Sequence, residues 1–418
     1  MTNAQGNRGW TAAAAAAAVL TMLTLTKPAS GQHDFHTVAS FDSTDGAYPT
    51  APLIQGFDGN LYGTTFYGGP RVSGTIFKIT PQGVLTSLYR FCSQANCSDG
   101  ANPYGGLLQA ADGELYGMTE TGGASGLGTI FRISRSGTLS TLHSFCEEKG
   151  CPDGASPTAG LIEAANGEFY GTTTGGGANL NGTVFELSPD GTVTTLYSFC
   201  SRSECADGAI PISTLVQAPD GDFYGTTYDG GAHGIGTVFK ISASGALTTL
   251  HSFSGSDGTQ PWSGLVQASN GNFYGTTVAG GLYGYGTVYE IGPGDSFTSL
   301  YSFCPATSCP DGAYPYAALI QASDGNLYGA TEKGGLYQAG AVFRVSVDGA
   351  LTTLHRFDIS DGAAPLAALV QDSNGDLYGT ASAGGSGVNC FDKCGTIYTL
   401  GLGPSVETQP DFGSQEDR

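Results

Sequence analysis

Basic residues are scarce in this chain: 15 Lys and Arg stand against 36 Asp and Glu in 418 residues, a formal charge of −21. A protein that grips a phosphate backbone or an anionic membrane needs a basic face to displace counterions, so both partner classes are excluded. Charged residues of either sign make up only 12%, yet the chain is not a disordered polymer, because 40% of it is hydrophobic and 11% aromatic. Its 67 glycines follow no period of three, which excludes a collagen. No apolar run reaches the roughly 20 residues of a membrane helix; the candidate, Ala12 to Leu25, falls short. No nucleophile elbow, metalloprotease helix or phosphate loop is present either. A glycine-rich, acidic, globular β protein is left.

What is there begins with an export signal. Arg8 precedes the apolar run, and Ala29-Ser30-Gly31 supplies the small residues a signal peptidase reads. Residues 1–31 are therefore expected to be a leader cleaved before Gln32, leaving a secreted or cell-surface chain without a transmembrane anchor.

A phrase of the form Leu/Phe-Tyr-Gly-Thr-Thr then recurs seven times, with its tyrosine at Tyr62, Tyr116, Tyr170, Tyr224, Tyr274, Tyr328 and Tyr378. The spacings are 54, 54, 54, 50, 54 and 50, and a fixed period of this size specifies a repeat architecture. Each copy holds four short apolar runs separated by turn residues, the composition of a propeller blade. Asp-Gly or Asn-Gly precedes each tyrosine run, as in Asp58-Gly59 and Asn166-Gly167, and predicts a two-residue type I′ hairpin. The last copy lacks a fourth run, whereas Phe35 to Phe41, ahead of the first copy, matches Leu139 to Phe145. The reading is an all-β, seven-bladed β-propeller over residues 32–400, four antiparallel strands per blade, with the last blade closed by the N-terminal strand. Residues 401–418 are expected to be an acidic, disordered tail.

The copies differ mainly in the loops after the Gly-Gly doublet and between blades, which a propeller places on one face, so specificity is expected there. All ten cysteines fall on it. Cys92 with Cys97, Cys146 with Cys151, Cys200 with Cys205 and Cys304 with Cys309 each accompany a four-residue insertion, and Cys390 with Cys394 lies in a loop of the last blade. In an exported chain they read as five local disulfides; a zinc site is disfavoured because the pairs lack a recurring histidine. Seven Asp-Gly pairs open the interblade loops, Asp99 and Asp153 among them, and read as loop-holding turns rather than calcium ligands. His143, His251 and His355 replace Tyr89, Tyr197 and Tyr301 in other copies, which favours packing over chemistry.

The repeat text, for example Asp324-Gly325-Asn326-Leu327-Tyr328-Gly329 followed by Gly334-Gly335 and Gly340-Ala341-Val342-Phe343, resembles the Gloeobacter/Verrucomicrobia (GloVer) tandem repeat of choice-of-anchor bacterial surface proteins. The resemblance covers about Phe35 to Leu400 and implies an exported repeat protein; it supplies no catalytic residues.

Aromatics in the variable loops are the main positive signal for function: Tyr67, Tyr104, Tyr228, Trp262, Tyr283, Tyr285, Tyr316 and Tyr337, with His233 as the lone loop histidine. Aromatic faces beside acids suit sugars or a protein partner's hot spot. The expectation is a non-enzymatic monomer that binds an extracellular glycan or a surface protein, with no cofactor and no metal. One alternative is a carbohydrate-active lyase or hydrolase using Glu120, Asp229 or Glu332 with His233, which requires these groups to converge on the central channel. The other is an architectural envelope component.

Overall fold

The computed structural model describes residues 34–387, 390 and 394–402. The expected leader lies outside the described residues, as does the expected tail beyond 402.

Seven four-stranded antiparallel sheets make up the described chain. Blade 3 shows the pattern: a two-residue inner strand Ile162–Glu163, then Phe169–Thr173, Thr183–Leu187 and the outer Val193–Ser198. The last blade takes its outer strand from the N-terminus, Asp34–Ser40, which pairs with Thr396–Gly401. Even the irregularity is preserved. Outer strands carry a bulge, at Leu196 between Thr195 and Tyr197 in blade 3, and the N-terminal strand carries it at Val38. The N-terminal strand thus closes the ring and covers the outward edge of Thr396–Gly401.

The repeat phrase is explained residue by residue. In Tyr170-Gly171-Thr172-Thr173 the tyrosine is buried, and its hydroxyl reaches Asn166 Nδ2 at 3.0 Å and Glu186 Oε1 at 3.2 Å. Gly171 is required by close approach, since a Cβ there would stand 2.6 Å from Phe185 Cζ. Thr172 donates to the Ser213 carbonyl of the next blade at 3.1 Å, and the Thr173 and Thr183 hydroxyls meet at 2.8 Å. The core therefore lies between blades rather than inside them: Tyr170, Val184 and Phe199 of blade 3 form one cluster with Leu215, Phe223 and Phe239 of blade 4.

The hairpins differ from the expected type I′. In blade 1 the Gly59 N–H donates to Gly56 O and Gly56 N–H to Asn60 O, both at 2.8 Å, and only the glycine, with φ +78°, enters the left-handed region. This is a type I turn closed by a glycine bulge, a three-residue loop. Asp58 keeps a right-handed backbone because its carboxylate has two tasks, accepting the Asn60 N–H at 3.2 Å and the Tyr62 hydroxyl at 2.8 Å. A side chain pinned in that way selects Asp or Asn without any need for positive φ.

All five expected disulfides form, and each is local. Cys92 bonds Cys97, Cys146 bonds Cys151, Cys200 bonds Cys205 and Cys304 bonds Cys309, five positions apart in every case. Cys390 bonds Cys394 four positions on. The rings differ in depth: Cys92, Cys309 and Cys394 are buried, whereas both cysteines of the Cys146–Cys151 and Cys200–Cys205 rings are half-buried.

The interblade aspartates organise those loops: buried Asp99 accepts from the Tyr89 hydroxyl at 2.8 Å, the Ser93 N–H at 2.9 Å and the Gln94 N–H at 3.2 Å. Where histidine replaces that tyrosine it makes the same contact, His143 to Asp153 at 2.8 Å and His251 to Asp257 at 2.9 Å. The three histidines are thus latch residues held by a carboxylate as well as packed.

Candidate functional site at the channel mouth

Every blade is entered through a proline, and the residue after it faces the central channel. In blade order these are Thr50, Tyr104, Thr158, Ile212, Trp262, Tyr316 and Leu366, and all seven line one cavity of about 320 Å³. Sequence variation at a single repeat position thereby becomes a ring of unlike side chains.

The residue before the proline holds this ring in place. All seven are non-glycine residues in the left-handed region, from Ala364 at φ +50° to Ile210 at φ +58°. That conformation costs on the order of 1 kcal/mol or more each. It persists because both backbone groups are tied: the Ile210 N–H donates to Asn181 O of the preceding blade at 2.9 Å, and its carbonyl accepts the Tyr228 N–H at 3.0 Å. As the strain recurs in every blade, it marks a latch of the architecture rather than one site.

The acceptor side of this latch places a second ring of side chains, the residue following the second strand of each blade. Phe66, Glu120, Tyr228 and Glu332 occupy it in blades 1, 2, 4 and 6, with the Glu120 N–H on Asn102 O and the Glu332 N–H on Tyr314 O, both at 3.0 Å. Phe66 lies edge-on to Tyr104 of the next blade at 5.5 Å between ring centroids, and Tyr228 edge-on to Trp262 of the next blade at 5.5 Å. Trp262 also meets Tyr316 at 5.4 Å and Tyr104 at 6.3 Å. Blades 2 and 5 stand on opposite sides of a seven-membered ring, so Tyr104 and Trp262 meet over the channel itself.

Two carboxylates attend these aromatics. Half-buried Glu120 has its pKa raised by burial, and among the described residues its carboxylate has no hydrogen-bond or ion-pair partner. Glu332 is raised by burial as well, against the opposing pull of Lys333, whose ammonium lies 3.9 Å away and is largely exposed. Burial pushes the Tyr104 phenol up to about 12, with the charge of Glu120, the Tyr316 phenol and the charge of Glu332 adding to it. Two hydroxyls of the inner ring, those of Thr50 and Thr158, are buried without a partner.

Of the residues expected from sequence, Tyr104, Tyr228, Trp262 and Tyr316 come together here, and Glu120 and Glu332 join them. The rest do not. Tyr67 packs edge-on against Tyr48 and lines a separate cavity of about 890 Å³ with Arg90 and Cys390. Tyr285 pairs with Tyr314 at 5.5 Å further out, while Tyr283, Tyr337 and His233 are exposed on loop tips and do not line the channel cavity. Asp229 does not line it either, although burial raises its pKa. Phe66, Thr50 and Thr158 were not legible as members; the signal that finds them is their repeat position, one place after Thr-Thr or after proline.

Fold and channel mouth together define a seven-bladed propeller whose hub is closed by aromatic side chains with two buried-edge carboxylates. The chain belongs to the Gloeobacter/Verrucomicrobia repeat family, whose model matches residues 11–218 and 212–417. No curated protein matches it. Among solved structures it is similar to a gluconolactonase from Xanthomonas campestris, at 13% identity over 88% of this chain and 89% of that one, TM-score 0.42. It is also similar to a provisionally named 6-phosphogluconolactonase from Bacteroides uniformis, at 18% identity over 74% of this chain and 84% of that one, TM-score 0.48. Likenesses of this size say nothing about what the chain binds or does.

Proposed function

We propose that the protein is an exported binding propeller that takes a glycan at the channel mouth. The observation that carries this reading is that Tyr104, Trp262 and Tyr316 line one opening, with Tyr228 packed edge-on against Trp262 and the charges of Glu120 and Glu332 acting on the Tyr104 phenol. Aromatic rings supply apolar surface for the C–H faces of a sugar, while carboxylates accept its O–H groups. The acidic surface and the disulfides suit an oxidising extracellular setting.

The test is a glycan array probed with the chain from Gln32 onward and with a double variant, Trp262→Ala with Tyr316→Ala. Selective binding lost in the variant is the expected result. Binding to no glycan sinks the sugar reading and moves the weight to a protein partner.

The raised carboxyls favour one second reading, glycan hydrolysis with Glu120 or Glu332 as the acid. It requires turnover of the bound glycan, abolished by Glu120→Gln or Glu332→Gln with binding retained. Asp229 and His233 have no part in it: Glu120 and Glu332 are the carboxylates whose charge bears on the Tyr104 phenol.

A further inference from the structure

We infer that the ligand carries a protonated amine: the channel mouth is built for a glycan with de-N-acetylated amino-sugar units. The inference rests on the reading that this mouth is the ligand site, and it adds the charge of what enters.

The two rings of repeat positions, after each proline and after each second strand, contain no base and two acids, Glu120 and Glu332, whose charges bear on the Tyr104 phenol at the opening. Half-buried carboxylates in such a place ordinarily have a cation or several donors beside them. Glu120 has neither among the described residues, and Glu332 has only the largely exposed Lys333 at 3.9 Å. Around them stand the rings of Tyr104, Tyr228, Trp262 and Tyr316, whose negative faces attract an ammonium group. Aromatic faces with nearby carboxylates discriminate by charge. A neutral sugar leaves the carboxylates without a counterion, and a uronate or sulfated sugar adds like charge, whereas an amino sugar satisfies both features at once.

A further observation points the same way. The whole chain carries −21, which draws cations toward it and repels anions. A bare metal ion is a poorer occupant: no group of three or more His, Cys, Asp or Glu side chains among the described residues is arranged to hold one.

The protein offers its own reporter. Its two tryptophans are Trp10, in the expected leader, and Trp262, so the chain from Gln32 onward has one indole, placed over the channel. Fluorescence titration at about pH 6, where free carboxylates are ionised, compares a glucosamine oligomer with its N-acetylated counterpart, a glucose oligomer and a lysine-containing peptide. The glucosamine oligomer is expected to bind at least about tenfold more tightly than either other sugar, a difference of about 1.4 kcal/mol. Glu120→Gln and Glu332→Gln are expected to erase that preference while weak sugar binding and the melting transition persist. Equal or tighter binding of the N-acetylated oligomer overturns the amine assignment and leaves the glycan reading standing. Binding of no sugar overturns both, and binding of the peptide alone overturns the amino-sugar assignment in favour of a protein partner.

Discussion

The backbone N–H of Ser373, in the last blade, donates to Oε1 of Gln55, in the first, at 3.0 Å. This bond joins the last blade to the first in a series of such rungs on the face opposite the aromatic mouth. The inner-strand glutamine of each blade accepts the turn N–H of the blade before it: Phe57 to Gln109 at 2.8 Å, Ala165 to Gln217 at 2.9 Å, Ser269 to Gln321 at 2.7 Å and Ser323 to Gln371 at 2.8 Å. Glu163 serves in blade 3 for the Ala111 N–H. The rung between blades 4 and 5 cannot form, because Pro219 stands at the donor position and has no N–H.

That gap is an internal control. Gln109→Ala removes an acceptor from the Phe57 N–H as well as a donor to Gly113 O, whereas Gln267→Ala removes only the donor to Gly271 O. The first is expected to destabilise by about 1 kcal/mol more than the second, the net worth of one hydrogen bond. Urea denaturation midpoints decide it, and equal losses would show that the rungs contribute nothing.

Tyr289 and Tyr398 occupy the third-strand position that Phe77, Phe131, Phe185, Phe239 and Phe343 fill in the other blades. Their hydroxyls are fully buried and unpartnered. Tyr289→Phe and Tyr398→Phe are therefore expected to stabilise, each by about 1 kcal/mol, by removing a desolvated hydroxyl. A lower melting temperature in either variant would reveal a partner for that hydroxyl.

The small disulfide rings stiffen loops more than they hold blades together. Replacing Cys200 and Cys205 with serine is expected to cost about 2 kcal/mol, the chain-entropy value for so short a ring. Hydrogen exchange should rise in the loop from Phe199 to Asp207 and leave strand Phe223–Thr227 protected. Loss of protection in that strand would show that the loop is part of the cooperative core.

Two carboxyls on the loop face of this fold titrate with opposite signs. For Glu120 burial raises the folded pKa, so the folded state binds its proton more tightly and stability falls as pH rises from the ordinary carboxyl range through the raised value. Glu120→Gln should abolish that decline and stabilise the protein at neutral pH. Burial of Asp99 works upward too, but hydrogen bonds from Tyr89, Ser93 and Gln94 outweigh it and hold the pKa below its ordinary value. Its contribution is present above the ordinary range and lost as pH falls through the folded value; Asp99→Asn should flatten that acid limb. Melting curves across pH for the two variants separate the effects, and identical profiles would refute them.

Sequence alone determined the blade count, the four strands per blade, the closure by Phe35 to Phe41 and the five cysteine pairs. Blade count, strand number and cysteine pairs are written in local periodicity or short chain separations, and the closure in a repeat unit missing from the last copy and present ahead of the first. The turn type was misread because Asp58 and its equivalents are chosen for a contact with Tyr62 four residues on, not for a backbone conformation. Only the tertiary structure decided which loop aromatics share a site. Tyr104 and Trp262 are separated by three blades in sequence yet meet over the channel, since closing the ring turns one repeat position into seven side chains facing a common axis. Tyr67 and Tyr283, in loops of the same kind, were left elsewhere by that same geometry.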